Sequence, residues 1–102
     1  MPRRGEVWLV DLGLAQKVRP ALVLSVPPGP ADRVLITVVS HTTAVRGSPF
    51  ELAIALPFLR EGAFVAQSIT SIPAKHAIRR LGSLTPEQLT TVAEIVRLWL
   101  GL

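Results

Sequence analysis

Val34-Leu35-Ile36-Thr37-Val38-Val39-Ser40 carries apolar or β-branched side chains at almost every position, so neither side of the run is set aside for water. A strand of this kind has to be covered on both faces. It therefore belongs at the centre of a sheet, and the rest of the chain has to supply its neighbours. Residues 6–11, Glu6-Val7-Trp8-Leu9-Val10-Asp11, form a short β-rich run with charged ends and read as the opening strand. A second strand, Pro20 to Ser25, begins at a proline, which is tolerated in the first position of a strand, and stops at Pro27-Pro28-Gly29-Pro30. Residues 41–48 are polar, contain Gly47 and read as a loop. Residues 50–55 and 62–66 are a fourth and a fifth strand, Pro73 breaks the next stretch, and residues 77–82 add a last edge strand.

The C-terminal segment has a different period. Thr85 is a good N-cap, Pro86 takes the first helical position, and Gln88 completes a capping box. Leu89, Val92, Ala93, Val96, Trp99 and Leu100 follow at helical spacing, and Ile95, Leu98 and Leu102 widen the stripe beyond one face. That is more apolar surface than one helix needs against a small sheet, which points to a homodimer or to a helix wedged deeply into the barrel. Short, mostly antiparallel strands followed by one helix predict a single mainly β domain, a small curled sheet or barrel with a C-terminal helix.

Composition narrows the chemistry. The chain has 102 residues, a net charge of +4 and no cysteine, so disulfides, thiolate nucleophiles and cysteine-based zinc sites are excluded. The two histidines, His41 and His76, are too few and too badly spaced for a histidine metal site, and the acids are scattered singly. No metal or cofactor is expected. No apolar run reaches the roughly 20 residues that span a bilayer, and the charged N-terminus has no apolar signal core, so the expected location is the cytoplasm. The basic balance permits an anionic partner such as RNA.

Arg19-Pro20 is the pair best suited to that partner. A guanidinium is a rigid fork that stays charged, and the proline behind it anchors the launch point. Thr42, with Thr43 beside it, follows the central strand and offers a hydroxyl that can bond a phosphate oxygen or simply close a turn. His41 is the only neighbour whose ordinary pKa suits proton transfer near neutrality, although a continuing pleat would turn it to the opposite face from Thr42. Lys17 and Arg46 flank these residues and could steer an RNA backbone. His76, with Lys75, Arg79 and Arg80, reads as a solvated basic edge.

Taken in order, five blocks resemble the MazF/PemK family of toxin endoribonucleases. They are Arg4-Gly5-Glu6-Val7-Trp8-Leu9-Val10-Asp11, Arg19-Pro20-Ala21-Leu22-Val23-Leu24-Ser25, Val38-Val39-Ser40-His41-Thr42-Thr43, Gly47-Ser48-Pro49-Phe50-Glu51-Leu52, and Leu81-Gly82-Ser83-Leu84-Thr85-Pro86-Glu87-Gln88-Leu89. The resemblance covers almost the whole chain. It implies an SH3-like barrel of the MazF/PemK/CcdB type that forms a homodimer. It also implies metal-independent cleavage of single-stranded RNA at short sequences, restrained by a cognate antitoxin protein. Arg19 and Thr42 are the positions that serve the scissile phosphate in that family. Two departures stand out: the Leu12 to Val18 connection is short and lacks an acid, and Gln67-Ser68 replaces the usual acidic-Gln pair. Candidate RNA contacts are therefore Lys17, His41, Thr43, Arg46, Gln67 and Ser68. Rival readings are an inactive RNA- or antitoxin-binding module on the same fold, and a protein-directed toxin like the gyrase poison CcdB.

Overall fold

A computed structural model describes residues 1–13 and 17–102. Seven strands and one helix follow in the order β1 (Glu6–Asp11), β2 (Val18–Val23), β3 (Leu35–Thr42), β4 (Glu51–Leu52), β5 (Ala63–Val65), β6 (Thr70–Pro73), β7 (Ala77–Ser83) and α1 (Pro86–Leu100). Single turns of 3₁₀ helix, Ala66–Ser68 and Ala74–His76, lead into β6 and β7.

β3 organises the sheet as its two-sided apolar pattern requires. One edge pairs with β2, Ala21 opposite Ser40 and Val23 opposite Val38. The other edge is shared: β6 takes Leu35 to Val38, and β5 takes His41 and Thr42. β2 continues to β1 and β1 to β7, giving the order β4-β5-β3-β2-β1-β7 with β6 off that path. All the pairings are antiparallel.

The sheet has two apolar faces, and strand alternation assigns each residue to one of them. Val7, Leu22, Val39 and Phe64 point toward α1, where Val92 and Val96 complete one core. Val10, Ala21, Val23, Ile36 and Val38 point the other way and pack with Ile72 and Ala74 from the β6 region. The second core is enclosed by the sheet bending over itself. β6 and β7 lie at the two ends of that bend and are joined by the 3₁₀ turn at Ala74–His76, but no ladder pairs them. The expected closed barrel is thus replaced by a curled sheet whose hydrogen-bonded path stays open. The break has a backbone cause: Pro73 ends β6 without an amide donor, and a tight turn follows at once.

Several boundaries also differ. β3 runs two residues into the expected loop, β4 keeps only Glu51 and Leu52 of the six-residue run, and β6 is an additional strand. The helix start is as read from the sequence. Thr85 Oγ1 accepts from the Gln88 amide at 3.2 Å, and Gln88 Oε1 accepts from the Thr85 amide at 2.9 Å.

Candidate nucleic-acid site

The site lies where β2 begins and β3 ends. The β2–β3 ladder ends at Ala21 opposite Ser40, and Arg19 and Thr42 lie two residues beyond it, one on each strand. Arg19 and Thr42 therefore fall at the same end of neighbouring strands. Arg19 is half-buried, and Pro20 opposite Leu9 holds the strand entrance in the sheet. Thr42 Oγ1 accepts the Ala44 amide at 3.0 Å. The hydroxyl proton is not used in that bond and remains a donor.

His41 behaves differently from both. Because the pleat continues through Thr42, its ring turns to the α1 side. There it is 4% exposed and meets Phe64 edge-on, with ring centroids 5.1 Å apart. Its Nε2 is buried with no hydrogen-bond partner among the described residues. Burial penalises the imidazolium and pushes the pKa below the ordinary 6.5, so the ring is neutral at physiological pH. The reading of residue 41 as the start of a loop is corrected: His41 is a strand residue whose ring is buried beside Phe64.

Two depressions open at this end of the sheet. The first, about 380 Å³, has Leu9, Pro20, Phe58, Leu59 and Leu81 as its apolar walls, with His41 among them. Arg19, Thr43, Arg60 and Arg79 supply its other polar groups. The second, about 300 Å³, is lined by Leu12, Ser40, Gln67, Ser68 and Thr70 over Val38 and Ile72. The candidate residues are thus divided: Thr43 and His41 adjoin Arg19 in the first, Gln67 and Ser68 belong to the second, and Thr42 lines neither.

Ser68 has a structural task as well, since its hydroxyl donates to Val65 O at 2.7 Å and accepts the Ser40 amide at 2.9 Å. It ties the 3₁₀ turn to β3. Arg46 is exposed, and its amide bonds the Glu51 carboxylate at 3.0 Å, away from both depressions. Lys17 is exposed with φ at 56°, and its carbonyl accepts from the Leu12 amide. The rest of the short connection, Leu14 to Gln16, lies outside the described residues. Arg60 and Arg79 were not singled out by spacing. Only the tertiary fold brings the 53–62 segment and β7 to Arg19.

A family model for the PemK-like, MazF-like toxins of type II toxin-antitoxin systems matches residues 3–100. The chain belongs to that family. Among proteins of known structure, a mycobacterial endoribonuclease in complex with its cognate antitoxin is 25% identical, with a TM-score of 0.84 over 100% of this chain and 97% of that one. The Mycobacterium tuberculosis toxin MazF-mt6 is 26% identical, with a TM-score of 0.79 over 95% of this chain and 97% of that one. MazF from Deinococcus radiodurans, 23% identical with a TM-score of 0.83 over 99% and 97% of the two chains, shares the fold. This member of the MazF family thus presents Arg19 and Thr42 on the β2–β3 end. Among its described residues no helix is long and apolar enough to cross a membrane.

Proposed function

We propose that this chain is a toxin endoribonuclease that cuts single-stranded RNA at short sequences without a metal ion. Family membership over residues 3–100 supports the reading, as does the likeness to a mycobacterial endoribonuclease at 25% identity. The observation that carries the site is the common end of Arg19 and Thr42 on adjacent strands.

The chemistry follows from RNA itself. O2′ attacks the adjacent phosphorus in line, the P–O5′ bond breaks, one proton leaves the 2′-hydroxyl and one reaches O5′. The products are a 2′,3′-cyclic phosphate and a 5′-hydroxyl. Arg19 stabilises the added negative charge of the five-coordinate transition state, and Thr42 donates its hydroxyl proton to a non-bridging oxygen. A guanidinium holds its proton too tightly to move it at neutral pH, so Arg19 acts by charge and geometry. Restraint comes from a cognate antitoxin protein, as in the mycobacterial complex. The chain works in the cytoplasm as a homodimer. Support for self-association comes from the end of α1, where Leu98, Trp99, Leu100 and Leu102 are all exposed.

Incubation with a long unstructured RNA in EDTA, with the new ends sequenced, tests the assignment. Cleavage with cyclic-phosphate ends is expected, and Arg19→Ala should lower the rate by about 100-fold or more with the fold intact. Intact RNA across many sequences, or equal cutting by Arg19→Ala, overturns it.

A further inference from the structure

The first depression joins a cationic rim to an apolar floor, and its lining contains no carboxylate. Arg19 comes from β2, Arg60 from the segment between β4 and β5, and Arg79 from β7. Among the described residues, Arg60 and Arg79 make no ion pair or side-chain hydrogen bond; the acid-paired arginine of β7 is Arg80, 3.4 Å from Glu6. Arg80 is opposite Trp8 and Arg79 opposite Leu9, so alternation sends these two arginines to different faces. Neutral His41 beneath the floor adds no further positive charge. Phe58 stands in the wall, its ring against Gly82 so closely that a Cβ there would come within 2.3 Å of it. Glycine at position 82 leaves the room that the ring occupies.

We propose that this depression seats one nucleotide of the RNA next to the scissile phosphate. Arg60 and Arg79 hold the neighbouring phosphate, and the base lies against the wall of Phe58, Leu59 and Leu81. The proposal rests on the endoribonuclease reading and adds the residues that position the strand. The Arg60 and Arg79 guanidiniums, without an ion pair among the described residues, favour an anion, and an apolar wall accepts the π-face of any base. A volume of about 380 Å³ lies in the range of small-ligand pockets. Arg60 and Arg79 are thus positioning residues: they touch the strand beside the bond that is cut.

The test uses a fluorescein-labelled single-stranded 2′-deoxy oligonucleotide, which lacks the attacking hydroxyl and survives the measurement. Anisotropy is read over a series of salt concentrations for wild type, Arg60→Gln, Arg79→Gln and Phe58→Leu. Each arginine variant should bind about fivefold more weakly and reduce the slope of log K against log salt by about 0.7. Phe58→Leu should weaken binding and leave that slope unchanged, and thermal melts check that each variant is folded. Wild-type affinity and slope in both arginine variants would overturn the proposal. So would variants that keep the oligonucleotide but lose a poly-glutamate peptide, or that shift only the sedimentation coefficient, since these assign the surface to a protein. If wild type binds as described yet leaves RNA intact, the endoribonuclease reading fails and the nucleotide seat stands. If wild type cuts RNA and the variants bind normally, the seat alone fails.

Discussion

Gly62→Ala is the substitution that most directly tests how the β3 terminus is held. Its φ lies outside the left-handed region, so alanine would suffer no backbone penalty there. The obstacle is space: a Cβ would fall 2.1 Å from the Thr42 carbonyl oxygen and 2.7 Å from His41 Cε1. Relief requires β5 and the end of β3 to separate by roughly 1 Å, an overpacking strain that a short ladder absorbs badly. The Thr42–Ala63 and His41–Phe64 pairings and the edge-on ring contact are the interactions at risk. At about 1 kcal/mol for a hydrogen bond and a similar amount for the ring pair, the loss is about 3 kcal/mol. For a domain of this size that lowers Tm by about 15 °C. Gly47→Ala is the control, since its φ is +76° with nothing within 4 Å of a Cβ. It should cost only the left-handed penalty of about 1–2 kcal/mol. Calorimetry on both proteins, with RNA cleavage assayed below the lower melt, measures the difference. A Gly62→Ala melt within a few degrees of wild type, or no lower than that of Gly47→Ala, refutes the steric argument.

Acid should weaken the fold through two groups. Burial works to raise the Glu6 pKa, but hydrogen bonds from the Trp8 indole and the Arg3 amide, with the charges of Arg80 and Arg3, hold it below 4.5. The His41 pKa is depressed by burial below 6.5. Both groups bind fewer protons folded than unfolded, so stability is full above the unfolded values and falls as pH drops through the folded ones. Tm should decline first below about pH 6.5 and again below about pH 4.5, and Glu6→Gln should remove the second decline. Thr85→Ala removes the helix cap and should cost about 1 kcal/mol, read as a Tm fall of about 4–8 °C; an unchanged melt would show that the cap contributes nothing.

What could be read from the chain in advance was local. The capping box at Thr85 and Gln88 needs four residues to declare itself, and β3 is announced by its unbroken apolar run. β1 matches its expected bounds because charged residues close both ends of it. β6 escaped notice because Thr70-Ser71-Ile72-Pro73 is polar and ends in proline; only its pairing with β3 makes it a strand. His41 was misplaced for a related reason. Its polarity suggested a loop, whereas pairing with Phe64 carries the sheet past it and buries the ring. In the candidate site, Arg19 and Thr42 were visible through the blocks that contain them. Arg60 and Arg79 were not: Arg60 stands beside Glu61, and Arg79 sits in a basic stretch that reads as a solvated edge.

β7 pairs only with β1, so among the described residues its outer backbone is free to template another strand. Arg79 and Arg80, both exposed, stud that rim with charge, a familiar guard against edge-to-edge aggregation. Neutralising the pair should therefore make the protein increasingly prone to precipitate as it is concentrated, whatever happens to its grip on RNA.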